Sequence, residues 1–261
     1  PRVVVACGSL ESPALLLRSG IGGPAVGRYL HLHPVVATLA LHDEPQRPWW
    51  GAPMTAMVDE FADVEDGYGF LIQGVQWSTS IVAGGLARSS GTELKETMAR
   101  LEHASWFIGI PRDRGCGSVT IDDQGNAAVR YAVTDEVDVR NEHRSMAAQI
   151  RLHAASGARE IVPFTTTAAT RRWRTGDDLD AFIAEMERLP LGTGGHKVFS
   201  AHQMSSCRMG ADPDTSVAGP WGELHDTPGV YIGDASALPT ATGVNPMIST
   251  MAMAHRTGEA I

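Results

Sequence analysis

Short apolar runs alternate with segments of helical periodicity along the chain, and the first twenty residues show the pattern clearly. Val3–Cys7 is a continuous apolar run, which is typical of a strand buried on both faces of a parallel sheet. Gly8 favours a tight turn, and Leu10–Ser19 predicts a short helix that the glycine-rich residues 20–23 end. This pattern predicts a strand–turn–helix unit.

From about Gly27 the pattern changes and predicts strands and longer helices. Two apolar runs separated by the turn residues 122–126 predict a hairpin. We expect strands at Val35–Leu41, Tyr68–Val75, Gly117–Ile121, Ala127–Val133 and Ile161–Phe164, and helices at Glu93–Glu102, Glu136–Ser156 and Asp178–Leu189.

The last third of the chain predicts a strand followed by a capped helix. Gly229–Asp234 is a strand pattern that ends in a Gly-Asp pair. Asn245 is a favoured N-cap residue and Pro246 a favoured first helical residue, so we expect a helix from Met247 to Ile261.

Composition narrows the class of protein. The 261 residues are 43% hydrophobic and 20% charged, as in a globular protein with a sizeable core. Twenty-one basic against thirty acidic residues give a net charge of −9, which argues against a nucleic-acid partner. No apolar run approaches the ~18 residues of a membrane span. Three widely spaced cysteines suit reduced thiols, and hence a cytoplasmic location.

Common catalytic signatures are missing from the sequence. It has no Walker loop, no Gly-x-Ser-x-Gly, no His-Glu-x-x-His and no Cys-x-x-Cys. Residues 20–25 fit Gly-x-Gly-x-x-Ala, but they follow a helix and include Pro24, so we interpret them as a helix terminator. His202 and Cys207 lack two further ligands at zinc-like spacing, and no metal is expected.

Two parts of the chain carry a specific resemblance. One is GSLESPALLLRSGIG at residues 8–22; the other is SAHQMSSCRMG at 200–210, followed by GDAS at 233–236 and GVNPM at 243–247. Together they closely resemble the glucose-methanol-choline (GMC) oxidoreductases, which are FAD-dependent alcohol oxidases and dehydrogenases. The Ala-His-Gln-Met motif at residues 201–204 is most similar to the branch that includes long-chain fatty alcohol oxidases.

The resemblance implies an α/β fold with two domains. Residues 1–29 and 199–261 would be C-terminal pieces of a Rossmann-like FAD-binding domain, with an incomplete sheet. Residues 30–198 would form a substrate-binding domain of helices and an antiparallel sheet. The implied cofactor is FAD and the implied substrate is a small-molecule alcohol.

The resemblance also places the catalytic pair. Its catalytic histidine falls at His202, and an imidazole that titrates near neutrality can take a hydroxyl proton while hydride goes to flavin N5. A buried histidine with a packing role is the alternative. Asn245 falls at the second member of the pair, where its amide can hold the substrate oxygen; helix capping is compatible with that role.

The implied flavin contacts lie at the ends of two strands and at one helix start. Ala6, Cys7 and Gly8 close the first strand, and Asp234 and Ala235 follow the last. Asn245, Pro246 and Met247 would meet the isoalloxazine ring, where the helix dipole favours negative charge. A turn role is the alternative for Asp234. For Cys7 the sequence favours a small packing residue over a redox group. His33 matches the family's Leu-x-x-His-Pro stretch near the active site.

The family's first strand–Gly-x-Gly-x-x-Gly–helix unit is missing, and the chain opens at Pro1 inside an apolar run. We therefore expect a C-terminal fragment or subunit whose N-terminal FAD-binding half lies in the same or another chain. Two alternatives stay open. One is a non-catalytic binding module derived from a GMC substrate domain; the other is a flavin-free hydrolase or isomerase that uses His202 as base.

Overall fold

The computed structural model describes residues 1–76, 78–87, 90–167 and 171–261 and contains both helices and sheets. The strands are β1 (Val3–Val5), β2 (Arg28–Leu30), β3 (Ala37–Leu41), β4 (Met57–Val58), β5 (Phe70–Gly74), β6 (Ala104–Pro111), β7 (Gly117–Ile121), β8 (Ala127–Arg130), β9 (Glu160–Pro163), β10 (Trp173–Arg174) and β11 (Val230–Ile232). The α-helices are α1 (Gly8–Ser19), α2 (Thr79–Gly85), α3 (Gly91–Ala99), α4 (Glu136–Ala155), α5 (Leu179–Met186) and α6 (Met247–Glu259).

The chain divides into two compact units. The first comprises residues 1–33, 112–135 and 200–261, and the second comprises residues 34–111 and 136–199. Residues 112–135 join the first unit, whereas the boundaries expected from the sequence group them with the second. The roles of the two units in binding FAD and substrate stay predictions.

The first unit contains a short parallel sheet and a three-stranded antiparallel sheet. β1 pairs in parallel with β11, with Val5 opposite Ile232, and β2, β7 and β8 form the second sheet in that order. One apolar cluster joins Val5 and Ile232 to Leu16 of α1. The side chains of Val3 and Val4 are 54% and 48% exposed, so the prediction of a strand buried on both faces is wrong for these two residues. Burial on both faces requires layers on both sides of a sheet, and β1 pairs only with β11 within the described residues.

The second unit is built on a six-stranded antiparallel sheet in the order β10-β9-β3-β6-β5-β4. Successive side chains of a strand point to opposite faces. On β3, Leu39 accordingly lies in an apolar cluster with Trp106, and Ala40 lies in a separate cluster with Ile150 of α4. The sheet is thus covered on both sides.

The predicted hairpin is confirmed as β7 and β8, and the predicted long helix as α4. Asp178 lies just before α5, where its carboxylate accepts the amide N–H of Ala181 at 3.0 Å. The central strand β6 was not predicted. Its residues 104–111 include Ser105, Gly109 and Pro111, which interrupt the apolar run.

Within the described ranges, no helix is both long enough and apolar enough to cross a membrane.

Candidate active site

His202 and Asn245 meet in the first unit, as the sequence predicts for a catalytic pair. The Nε2 atom of His202 lies 3.5 Å from the Nδ2 atom of Asn245. His202 is half-buried in a loop whose shape is fixed locally, since its amide N–H donates to the Ser200 hydroxyl at 3.0 Å. Forty-two residues separate the two in sequence, so only the tertiary fold brings them together.

The start of α6 differs by one residue from the predicted arrangement. The helix begins at Met247 and Pro246 occupies the N-cap position, with its carbonyl accepting the Thr250 amide at 2.8 Å. The predicted N-cap at Asn245 is therefore wrong. Asn245 lies one position outside the helix, where its side-chain amide faces His202.

A second histidine, His33, completes the polar group around His202. Its side chain is fully buried, and its Nδ1 atom lies 3.2 Å from Nδ1 of His202. The two ring planes are perpendicular. On its other side the Nε2 atom of His33 accepts the amide N–H of Gly243 at 3.0 Å. His33 therefore links the His202 loop to the segment that precedes Asn245.

Asp113 holds the backbone around His33. Its Oδ1 accepts the amide N–H of His33 at 3.0 Å, and its Oδ2 accepts that of Leu32 at 2.9 Å. The Tyr131 hydroxyl donates to Oδ2 at 2.9 Å, and the His31 Nδ1 lies 3.2 Å from it. His33 has a φ of +46°, a left-handed conformation that costs a non-glycine residue of the order of 1 kcal/mol or more. The two amide hydrogen bonds to Asp113 offset that cost.

Burial keeps the imidazoles of His33 and His202 neutral near pH 7. It lowers the pKa of His33 to about 4, although the Asp113 carboxylate acts in the opposite direction. Burial also lowers the pKa of His202 below its ordinary value. For Asp113, burial alone would raise the pKa, but hydrogen bonds from His31 and the Leu32 amide outweigh it and leave the pKa below its ordinary value.

The carboxyl ends of β1 and β11 lie side by side, joined by Asp234. Its carboxylate accepts hydrogen bonds from the Gly8 amide at 2.9 Å, the Ser12 hydroxyl and the Ser236 amide at 2.8 Å. Ser9 hydroxyl donates to the carbonyl of Gln203, next to His202, at 2.8 Å. Asp234 is thus a turn-capping residue that also fixes the start of α1. Its predicted contact with FAD stays a prediction.

The residues at these strand ends fit a flavin nucleotide. Parallel strands bind ligands beyond their carboxyl ends, and here Ala6 and Cys7 are exposed while Gly8 and Ala235 are half-buried. Among the described residues, the fully buried hydroxyl of Ser205 nearby has no hydrogen-bond partner. The first amides of α6 have no acceptor within the helix, and Met247 beside them is 67% exposed. Open amides at an exposed helix start suit the phosphates and ring oxygens of FAD.

Sequence reasoning missed Asp113, Tyr131, His31 and Gly243 as parts of the site. Asp113 lies between Arg112 and Arg114, a pattern that usually indicates a solvated turn, so nothing in the sequence distinguishes it. Only the alternation of His31 and His33 gave a local signal. Among the residues that the structure describes, no group of three or more His, Cys, Asp or Glu side chains is placed to hold a metal ion.

Comparison with known proteins agrees with the resemblance seen in the sequence. The chain is 32% identical over 266 residues to the long-chain-alcohol oxidase FAO4A of Arabidopsis thaliana, covering 98% of this chain and 36% of that protein. It is 26% identical over 271 residues to paromamine 6'-oxidase of Streptomyces fradiae, covering 99% of this chain and 44% of that protein. The chain thus spans less than half the length of each of these relatives.

Solved structures share the fold at lower identity. A pyridoxine 4-oxidase from Mesorbium loti superposes with a TM-score of 0.69 at 21% identity, over 99% of this chain and 51% of that one. A formate oxidase of Aspergillus oryzae, studied for FAD modification, gives a TM-score of 0.67 at 12% identity, over 99% of this chain and 53% of that one.

The family profiles decide the assignment. The C-terminal GMC oxidoreductase profile matches residues 111–254, more than half of the chain, and the N-terminal profile matches residues 1–35. This chain belongs to the GMC oxidoreductase family.

Proposed function

We propose that this chain is the C-terminal part of an FAD-dependent enzyme that oxidises the CH–OH group of an alcohol. The observation that carries the proposal is the meeting of His202 and Asn245 at the start of α6. When bound, FAD supplies the hydride acceptor, flavin N5. The residues of this chain supply the proton acceptor, the positioning of the alcohol and part of the flavin site.

His202 takes the hydroxyl proton as hydride leaves the carbon. Its lowered pKa leaves the imidazole neutral near pH 7, as a base requires. The amide of Asn245 holds the alcohol oxygen against the His202 ring. The pair thereby fixes the position of the oxygen and the path of its proton. Such positioning lowers the entropic cost of reaching the transition state.

The residues at the strand ends and at the start of α6 would hold the flavin. Ala6, Cys7, Gly8 and Ala235 offer backbone there, and Asp234 keeps the two strand ends together. Asn245, Pro246 and Met247 lie at the positive end of the α6 dipole, which would favour a negatively charged part of a bound flavin.

An N-terminal half, in the same chain or another, completes this FAD-binding site. Its support is the apolar surface that the first unit exposes on β1 and α6, formed by Val3, Val4, Met247, Ile248 and Met251. The 36% coverage of the long-chain-alcohol oxidase also agrees with a longer enzyme. A sheet of two strands is only marginally stable by itself. In the complete enzyme, the parallel pair of β1 and β11 would therefore be extended by further strands.

The alcohol we propose is a long-chain one, on the basis of the relatives named long-chain-alcohol oxidases. The second unit, built on the six-stranded sheet, is proposed to bind it. The three cysteines are free thiols, which supports a reducing compartment such as the cytoplasm.

An absorption spectrum tests the proposal. The full-length protein that contains this chain, or this chain co-expressed with the N-terminal half, should show the visible bands of bound flavin. A long-chain primary alcohol should bleach them without oxygen. A protein without flavin when the N-terminal half is supplied would refute the proposal. Bound flavin that no alcohol reduces would favour the non-catalytic binding module.

A further inference from the structure

The hydrogen bond between Gly243 and His33 determines where His33 carries its proton. A backbone amide only donates, so the Nε2 atom of His33, which lies 3.0 Å from the Gly243 nitrogen, must be unprotonated. A neutral imidazole carries one ring proton. Because the ring is fully buried and neutral near pH 7, that proton lies on Nδ1.

The proton on His33 in turn determines the state of His202. The two Nδ1 atoms lie 3.2 Å apart, and a hydrogen bond between them needs one donor and one acceptor. His33 is the donor, so Nδ1 of His202 accepts. Neutral His202 then carries its own proton on Nε2, the atom that faces the Asn245 amide. The Asn245 atom nearest to it in the structure is Nδ2, which also donates, so this assignment requires the amide to be rotated by 180°, with its oxygen at the Nε2 proton.

The groups around His33 prevent its ring proton from moving from Nδ1 to Nε2. Asp113 fixes the backbone of Leu32 and His33 through two amide hydrogen bonds, and it is itself 1% exposed. A proton moved to Nε2 of His33 would face the Gly243 N–H at 3.0 Å, and two donors repel each other at that distance.

We propose that His33 is a positioning residue that fixes the ring proton of resting His202 on Nε2. The inference deepens the proposed function, on which its catalytic meaning rests, because a base needs an unprotonated nitrogen. In the resting protein the unprotonated nitrogen of His202 is Nδ1, which faces His33. His202 takes up a proton at Nε2 only in its other tautomer, so the His33 contact must open before the proposed chemistry.

Nitrogen NMR of the full-length protein labelled with ¹⁵N-histidine tests this directly. We expect His202 to show an unprotonated Nδ1 and a protonated Nε2, and His33 to show a protonated Nδ1. A scalar coupling between the two Nδ1 nuclei should report the hydrogen bond. A protonated Nδ1 on His202, or a missing coupling, would overturn the inference. The signals are assigned by their loss in His33→Phe and His202→Gln.

Two variants separate positioning from a general structural effect. In His33→Phe the coupling should vanish and the His202 signals should move towards a mixture of tautomers. His225→Phe, at an exposed histidine of the first unit that is hydrogen-bonded to Ser216, is the control, and in it the His202 signals should not move. Should His33→Phe not fold, His202→Gln still assigns the His202 signals, and the protonation of its Nδ1 in the unmodified protein decides the question.

The absorption spectrum of the same samples distinguishes the two proposals. A Nδ1-protonated His202 in a protein whose flavin an alcohol reduces would overturn only the inference about His33. The expected tautomers in a protein that binds no flavin would leave that inference standing and refute the proposed function.

Discussion

The Nδ1 atoms of His33 and His202 lie 3.2 Å apart, with their rings perpendicular. Both residues belong to the first unit but are 169 positions apart in sequence. The backbone amide of His33 donates to the Asp113 carboxylate, and its ring accepts the amide N–H of Gly243. The candidate active site is therefore a buried polar cluster that leads to His202, rather than a single exposed histidine.

Replacing His202 should remove the base and leave the flavin site in place. His202→Ala should slow flavin reduction by a primary alcohol by roughly 10²–10⁴-fold, with FAD still bound. Stopped-flow absorbance of the anaerobic full-length protein measures the rate. His255→Ala, an exposed histidine on α6, is the matched control and should reduce at the unmodified rate. An unchanged rate in His202→Ala would exclude His202 as the base.

The pH dependence of flavin reduction should follow the lowered pKa of His202. Burial places this pKa below its ordinary value of 6.5, so the imidazole is neutral above that pH and becomes protonated below it. We expect the rate constant to be level above pH 6.5 and to fall as the pH drops through the lowered pKa. Rates measured between pH 4.5 and 8.5 check this. An acid limb centred above pH 6.5 would contradict it.

Asp234→Ala should lower both the stability of the first unit and its affinity for FAD. The substitution leaves the Gly8 and Ser236 amides and the Ser12 hydroxyl without their acceptor. A buried polar group without a partner costs about 1–3 kcal/mol, so we expect a clear drop in the urea midpoint. Flavin retained after gel filtration should fall as well. Asp214→Ala, at an exposed turn, is the control. Unchanged stability and full flavin occupancy would count against this role.

Acid should destabilise the second unit through His153. Its ring is fully buried on α4, with Nε2 3.0 Å from the Thr38 hydroxyl and Nδ1 3.2 Å from that of Ser105. Burial lowers its pKa from 6.5 to about 3 in the folded protein, whereas the unfolded chain takes up the proton near 6.5. The stabilisation is therefore present above pH 6.5 and is lost as the pH falls towards 3.

The expected loss is about 1.4 kcal/mol per pH unit from this one group. Urea midpoints at several pH values should fall less steeply below pH 6.5 in His153→Gln than in the unmodified protein, whatever the variant's stability at neutral pH. His255→Gln should keep the original slope. Equal slopes in all three proteins would show that His153 does not bind the proton on unfolding.

The sequence pattern predicted those strands and helices that have a clear local signal, such as turn residues or helical spacing. The β7–β8 hairpin follows from its turn residues, and α4 follows from its length and helical spacing. The pattern did not identify β6, because Ser105, Gly109 and Pro111 interrupt its apolar run and glycine and proline are rare in strands. It also misplaced the exposed Val3 and Val4, since burial depends on which layers cover a strand.

By itself the sequence determined the family resemblance and the two residues His202 and Asn245, because these lie in long motifs of fixed order. The tertiary structure decided what surrounds them. Asp113 looks like a solvated turn residue until the fold buries it against the backbone of His33. Likewise, the tautomer of His202 depends on an amide at Gly243, more than two hundred residues from His33 in sequence. Hydrogen bonds between such distant groups exist only once the chain has packed, and no local pattern records them.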